Sequence, residues 1–309
     1  MSFRIDPRLS LTVEVRRIAA GEIESMLRHL ALASDGPDKA MHGCRKRIKR
    51  LRALLHLVRS GDPHFFHEEN ARYRDISACL AAPREAAALI ETMDRLAEAF
   101  PEHAAAGAFG TVRGTLKARR SGLLHEGQAL AALVEGAAES CRAGLRKLDT
   151  LVLPGDPEKA ADVLANGARD ALHRARAALA HAGKRGKAKD FHDLRKAVKA
   201  HAMHLLLLKK LWPEPIRARR KAIEALGERL GDLHDIFVMR ALLADKAHPL
   251  GSKAETKLGD RLLKRSERKL RKSCLAEAAQ LFSDSPRRSA KRLARKARDG
   301  MSKNRSSLP

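Results

Sequence analysis

Apolar residues recur every three or four positions along almost the whole chain. That is the period of a helix buried on one face. The pattern predicts helices at about 8–33, 38–60, 64–82 and 84–100, with one or two more across 104–149. Beyond 157 it predicts about 158–182, 188–212, 215–230, 234–247 and 252–282, then a short basic helix over 286–298. No alternating pattern persists long enough for a sheet. The strongest internal break is LVLPGDPEKA (151–160), where Pro154, Gly155 and Pro157 oppose a helix and Asp156 can cap the next. The stretches 36–42 and 183–192 read as loops leading into helices. Gly61-Asp62-Pro63 and Trp212-Pro213-Glu214-Pro215 read as helix ends.

One short pattern occurs twice. HGCRKRIK at 42–49 and HDLRKAVK at 192–199 both fit H-x-x-R-K-x-φ-K, where φ is apolar. The same offset pairs Leu80 with Leu230 and Arg84-Glu85 with His234-Asp235, with no gap. The prediction is an all-α protein of two pseudo-symmetric helical halves, 1–153 and 154–298, arising from an internal duplication, followed by a disordered basic tail at 299–309. The repeat is far too long for a solenoid unit.

Composition supports this reading. Hydrophobic residues make up 44% of the chain and aromatics only 3%, and its dominant Ala, Leu, Arg, Lys and Glu are strong helix formers. Charge narrows the function. With 62 Lys+Arg against 37 Asp+Glu, the chain carries +25 and will concentrate polyanions around itself. Cys44, Cys79, Cys141 and Cys274 are widely spaced with no C-x-x-C, which fits reduced cytoplasmic thiols. The N-terminal stretch lacks the apolar run of a signal peptide, and no stretch approaches a membrane span. No membrane insertion is expected.

On a helical wheel, His42, Arg45, Lys46, Lys49, Arg50 and Arg52 fall within roughly 80° of one direction. Cys44, Ile48, Leu51, Leu55 and Val58 gather opposite, and Arg47 leans toward this apolar side. The second copy places His192, Arg195, Lys196 and Lys199 together, with Ala200 and Ala202 standing where Arg50 and Arg52 stood. Stacked like charges repel by a few tenths of a kcal/mol per pair, so such a stripe gains from an anion. Arg can clasp two phosphate oxygens, Lys supplies a mobile charge, and His a donor that titrates near neutrality. A single basic stripe is most often a solvated face. Recurrence of the same residue types at one offset argues for a receptor, and a linear phosphate polymer matches its charge spacing.

MHGCRKRIKRLRALLHLV with ENARYRDISACLAAPREAAALIETMDRL resembles the first half of a CHAD domain, the conserved histidine α-helical domain. FHDLRKAVKAHAMHLLLLKKLWPE with ALGERLGDLHDIFVMRALL resembles its second half, and ARDALHRARAALA its lead-in helix, with His173 where Tyr is usual. The resemblance implies two four-helix bundles with a basic groove or pore between them. It implies binding of inorganic polyphosphate, and association with polyphosphate granules in cells. Carried over by position, the ligand-binding residues are His42, Arg45, Lys46, Lys49, Arg50, Arg52, His192, Arg195, Lys196 and Lys199, with Arg174 and Arg176 as weaker candidates. Arg84-Glu85 and His234-Asp235 are expected to be polar pairs at helix junctions. The E-x-E-x-K strand of an attached triphosphate tunnel domain is absent.

No nucleophile elbow, P-loop, dinucleotide fingerprint or H-E-x-x-H occurs. The reading is therefore of a binding protein rather than a polyphosphate kinase or hydrolase, and no cofactor is expected. His64 with His67 and His201 with His204 have metal-compatible spacing, but neither pair has the Cys or carboxylates to complete a set. The alternative is a general polyanion or nucleic-acid binder. Scarce aromatics weigh against single-strand recognition, and no DNA-reading motif is visible. Binding is expected to tighten below about pH 6.5, where His42 and His192 can charge.

Overall fold

The computed structural model describes residues 2–80, 82–105, 109–124 and 127–302; side chains at 82–88, 104–105, 119–124, 127–129, 214, 215 and 218 lie outside the described set. The described residues form twelve α-helices and no strand. In order they are α1 (Leu11–Ala31), α2 (Pro37–Val58), α3 (Pro63–Cys79), α4 (Ala82–Ala99), α5 (Pro101–Ala105) and α6 (Gly110–Leu124). Then follow α7 (Gly127–Lys147), α8 (Pro157–Arg185), α9 (Ala188–Leu207), α10 (Pro213–Leu243), α11 (Lys253–Leu281) and α12 (Pro286–Ser302).

Local chemistry explains most starts. Six helices, α2, α3, α5, α8, α10 and α12, open on proline, whose fixed φ and missing N–H suit the first turn. Asp62 and Asp156 cap α3 and α8 by accepting from the N–H groups of Phe65 (3.0 Å) and Lys159 (2.9 Å). Ser252 and Glu255 close a capping box on α11. Helix α8 ends on Gly186 at φ +62°, the left-handed position glycine adopts without a Cβ penalty. It therefore runs three residues past the expected end, and only Gly186 and Lys187 separate it from α9.

The break expected near 230–234 is absent: α10 is one continuous helix. The matching stretch of the first half ends α3 at Cys79 and restarts at Ala82, with Pro83 in the new first turn. The second copy has Leu233 at that place and no proline to interrupt it. The 104–149 region holds the end of α5, all of α6 and α7, and a short 3-10 turn at Leu148–Thr150. Residues 299–302, assigned by composition to a disordered tail, belong to α12, and 303–309 lie outside the described residues.

Three hydrophobic cores hold these helices. The first joins α1, α2, α3 and α7 with the start of α8 (Ala160–Leu164), Leu207 and Leu208, and the buried stripe Leu293, Ala297 and Met301 of α12. The second joins the rest of α8 with α9, α10 and α11. The third joins α4 and α6 to α10 and α11 through residues such as Met93, Val112, Met239 and Leu263. The sequence halves therefore exchange elements. Helices α4 and α6 pack on the second half, while α12 and the start of α8 pack on the first.

Helices α2 and α8 approach so closely that a Cβ on Gly167 would collide with the Leu57 carbonyl oxygen. Helices α2 and α9 cross nearby, where fully buried His204 donates from Nε2 to the Ala53 carbonyl at 2.9 Å. His201 packs edge-on against Phe282 with ring centres 5.7 Å apart. Burial pushes His201 down to about 4 and His204 to about 3, so both fold in the neutral form. The unfolded chain, with imidazoles near 6.5, takes up protons first as pH falls. Stability is thus full above about pH 6.5 and lost progressively toward pH 4. Urea unfolding at pH 7.5 and 5 should show a loss of about 2 kcal/mol per buried histidine. A midpoint that does not move would contradict their burial.

Candidate anion-binding site

The second motif forms the tighter cluster. Phe191, Leu194 and Val198 turn α9 into the core, which aims His192, Arg195, Lys196 and Lys199 the other way. Helix α10 meets that face with two glycines one turn apart. A Cβ on Gly231 would stand 3.5 Å from the Arg195 guanidinium, and one on Gly227 would stand 3.5 Å from Lys199 Cγ. The bare backbone gives the Lys199 stem and the Arg195 guanidinium a surface to lie on, and both side chains are partly buried there. Burial, then the neighbouring Arg195, lowers the Lys199 ammonium below its usual range.

His234 stands beside His192, with Nδ1 atoms 3.3 Å apart and ring centres 4.6 Å apart. Only one of those nitrogens can carry the shared proton, so two charged rings would clash there. Burial first, then Lys196, His234 and Arg195, pushes His192 down to about 4. Burial and the same cations lower His234 too. The expected charging of His192 near pH 6.5 is therefore corrected: in the free protein its imidazole stays neutral throughout the physiological range. His234-Asp235 is corrected as well, since both lie inside α10 rather than at a helix junction. Asp235 and Asp232 are engaged by Arg95 of α4, at 3.3 and 2.6 Å. Two carboxylates that would otherwise neutralise Lys199 are thereby shared with another cation. The matching Arg84-Glu85 side chains lie outside the described set.

The first motif divides. His42, Lys46 and Lys49 are exposed on α2. Arg45 donates to the Ser77 carbonyl in the last turn of α3 (2.9 Å), where a cation complements the helix end. Arg52 donates to Asn70 Oδ1 at 2.9 Å. Arg50 leaves the group: it pairs with Glu22 of α1 at 2.9 Å and lies over the Phe3 ring at 4.1 Å. Arg47 reaches the same carboxylate at 3.3 Å. Arg50 sat at the margin of the predicted stripe, and a nearly buried carboxylate on the adjacent helix decides its direction.

Arg174 on α8 joins the far end of the first motif, where it and Arg52 and Arg59 surround His56. Burial, then these cations, pushes His56 down to about 4. Arg176 turns away and donates to the Asp284 carbonyl at 2.8 Å, past the end of α11. Ala53 and His204 lie eleven and twelve residues after the motif histidines. The crossing of α2 and α9 is therefore about 17 Å along either helix from them. The contacts thus form two cationic clusters, each led by a motif histidine about 17 Å along its helix from that crossing. Sequence reasoning missed Arg95, His56 and the glycine pair, and took His234 for a structural residue. The position of His234 one offset from Arg84 was the only signal for it.

Among the described residues no three His, Cys, Asp or Glu side chains form a metal-sized group, and no helix is long and apolar enough to cross a membrane. The sequence model of the CHAD domain matches residues 17–244. Among solved structures the chain is similar to PptA from Streptomyces chartreusis. The TM-score is 0.57 at 18% identity, over 89% of this chain and all of that one. No curated protein matches.

Two outcomes follow from this geometry. Arg50→Ala should lower folding stability by about 2 kcal/mol, because Glu22 loses a charged partner. An unchanged unfolding midpoint would place Arg50 back on the anion-facing surface. In a proton NMR titration, His192 should show a midpoint near 4 in the free protein and a higher one with an anion bound, since an adjacent anion favours the imidazolium. A free midpoint near 6.5 would remove the His192–His234 contact.

Proposed function

The chain belongs to the CHAD domain family, and on that premise we propose that it binds inorganic polyphosphate through the outward faces of α2 and α9. The supporting observation is the cluster of His192, Arg195, Lys199 and His234 laid over Gly227 and Gly231. Its cations are partly buried and close together, and two nearby carboxylates, Asp232 and Asp235, are shared with Arg95. Removing cations from water and stacking them costs free energy that a dense anion returns. Arg195 and Lys199 would grip non-bridging oxygens, with neutral His192 or His234 donating a hydrogen bond to the same chain. Lys196, exposed one turn away, adds a mobile charge.

The first half contributes His42, Lys46 and Lys49 from α2, with Arg45 and Arg52 anchored beside them. Arg174 extends that cluster. In this reading the polymer follows the groove between the halves, and the protein resides in the cytoplasm at polyphosphate granules. It holds the polymer and does not turn it over.

The test is titration with long-chain polyphosphate at about 150 mM salt, with duplex DNA as competitor. Binding that excess DNA leaves intact is the expected result. Arg195→Gln with Lys199→Gln should weaken it by at least about tenfold, given roughly 1.5–3 kcal/mol per charged hydrogen bond, while helicity is retained. Equal displacement by DNA would favour a general polyanion binder. Unchanged affinity in that variant and in Arg45→Gln with Lys49→Gln would remove the site from the motif helices.

A further inference from the structure

Helix α11 lies beyond the residues that the family matches. It carries a stripe of positive charge longer than either motif. Lys257, Arg261, Lys264, Arg265, Arg268 and Lys272 fall within about 60° of one direction on the helix, and all six are exposed. Fifteen residues separate the first from the last, about 22 Å along the axis. Lys264 pairs with Asp260 at 3.0 Å. Among the described residues the other five pair with no carboxylate.

Toward its C-terminal end the stripe runs into a cavity of about 530 Å³ between α10 and α11, lined by Arg240, Lys264, Glu267, Arg268, Arg271 and Lys272 among others. Nearly buried Glu267 holds two of these cations, pairing with Arg240 and, at 2.9 Å, with Arg271. Arg240 is also held by Asp260 at 2.8 Å. Arg271 donates to the Gly186 carbonyl and lies over the Phe191 ring at 5.1 Å. One acidic side chain thus fixes two guanidinium groups at the wall, and Arg268 and Lys272 stand uncompensated at the rim.

We infer that this stripe and cavity form a second polyphosphate-binding track, carried by α11 in addition to the motif site. The inference rests on the polyphosphate reading above. Cations three and four residues apart recur every 5–6 Å, a spacing suited to a chain with one charge per phosphate. No aromatic ring lines the cavity, so nothing there stacks a base, as a single-stranded nucleic acid would require.

The test compares two variants with equal charge removal. The first is Arg261→Gln, Arg265→Gln, Arg268→Gln and Lys272→Gln on α11. The second is Arg287→Gln, Arg288→Gln, Lys291→Gln and Arg295→Gln on α12, all four also exposed. Gln keeps helix propensity, and removing stacked like charges does not destabilise α11. Affinity for long-chain polyphosphate is measured as a function of salt. Four lost contacts should reduce the log–log salt slope by about 3 and affinity at about 150 mM on the order of a hundredfold, taking the value per contact for single strands. The α12 variant should lose far less. Wild-type affinity in the α11 variant, or equal losses in both, overturns the track while the motif site stands. A wild-type protein that binds no polyphosphate overturns the polyphosphate reading and the track with it.

Discussion

Repulsion among cations on neighbouring helix faces is the constraint that the rest of this structure contains. A chain of net charge +25 packs its basic helices against each other, and a few carboxylates hold several of them together. Glu22 clamps Arg47 and Arg50, and Glu267 clamps Arg240 and Arg271. Asp6 takes both Arg8 and Lys210, the latter bringing the N-terminal segment to the end of α9. Each of these acids serves two bases. A carboxylate with two cationic partners and little solvent is well stabilised in its charged form: the Asp6 carboxyl is held far below the usual range, chiefly by Arg8 and Lys210.

Close helix approach provides the second half of the arrangement. Gly167 brings the backbone of α8 against α2, and the Ala53–His204 hydrogen bond ties α2 to α9. Gly227 lets the stem of Lys199, and Gly231 the guanidinium of Arg195, lie against α10. Where side chains are small, backbones meet and long cations spread across them. The cationic clusters are therefore set in place by helices sharing continuous cores rather than by loops. A surface built that way enters a complex with little ordering left to do.

The exchange of elements between the halves matters for the site itself. Arg95, which engages Asp232 and Asp235 beside the second motif, comes from α4, an element of the first half in sequence. Arg174, which joins the first motif, comes from α8, the first helix of the second half. Each cationic cluster thus contains a residue from the opposite half, and neither half alone carries a complete one.

Sequence by itself determined the all-α class, most of the helices, and the two basic faces led by His42 and His192. Helix periodicity, proline and capping residues are local, so they can be read one segment at a time. It also showed that Arg45, Lys46 and Lys49, and Arg195, Lys196 and Lys199, share a face with those histidines, because a wheel needs only the helix. Tertiary structure alone decided what each face meets. Glu22 turned Arg50 inward, the loop after α11 took Arg176, and His234 met His192 across two helices. Packing around His201 and His204 fixed them in the neutral form. These outcomes depend on which side chain of a distant helix arrives at a given spot, and on how much water it removes, and neither quantity is written in the spacing of residues along one helix.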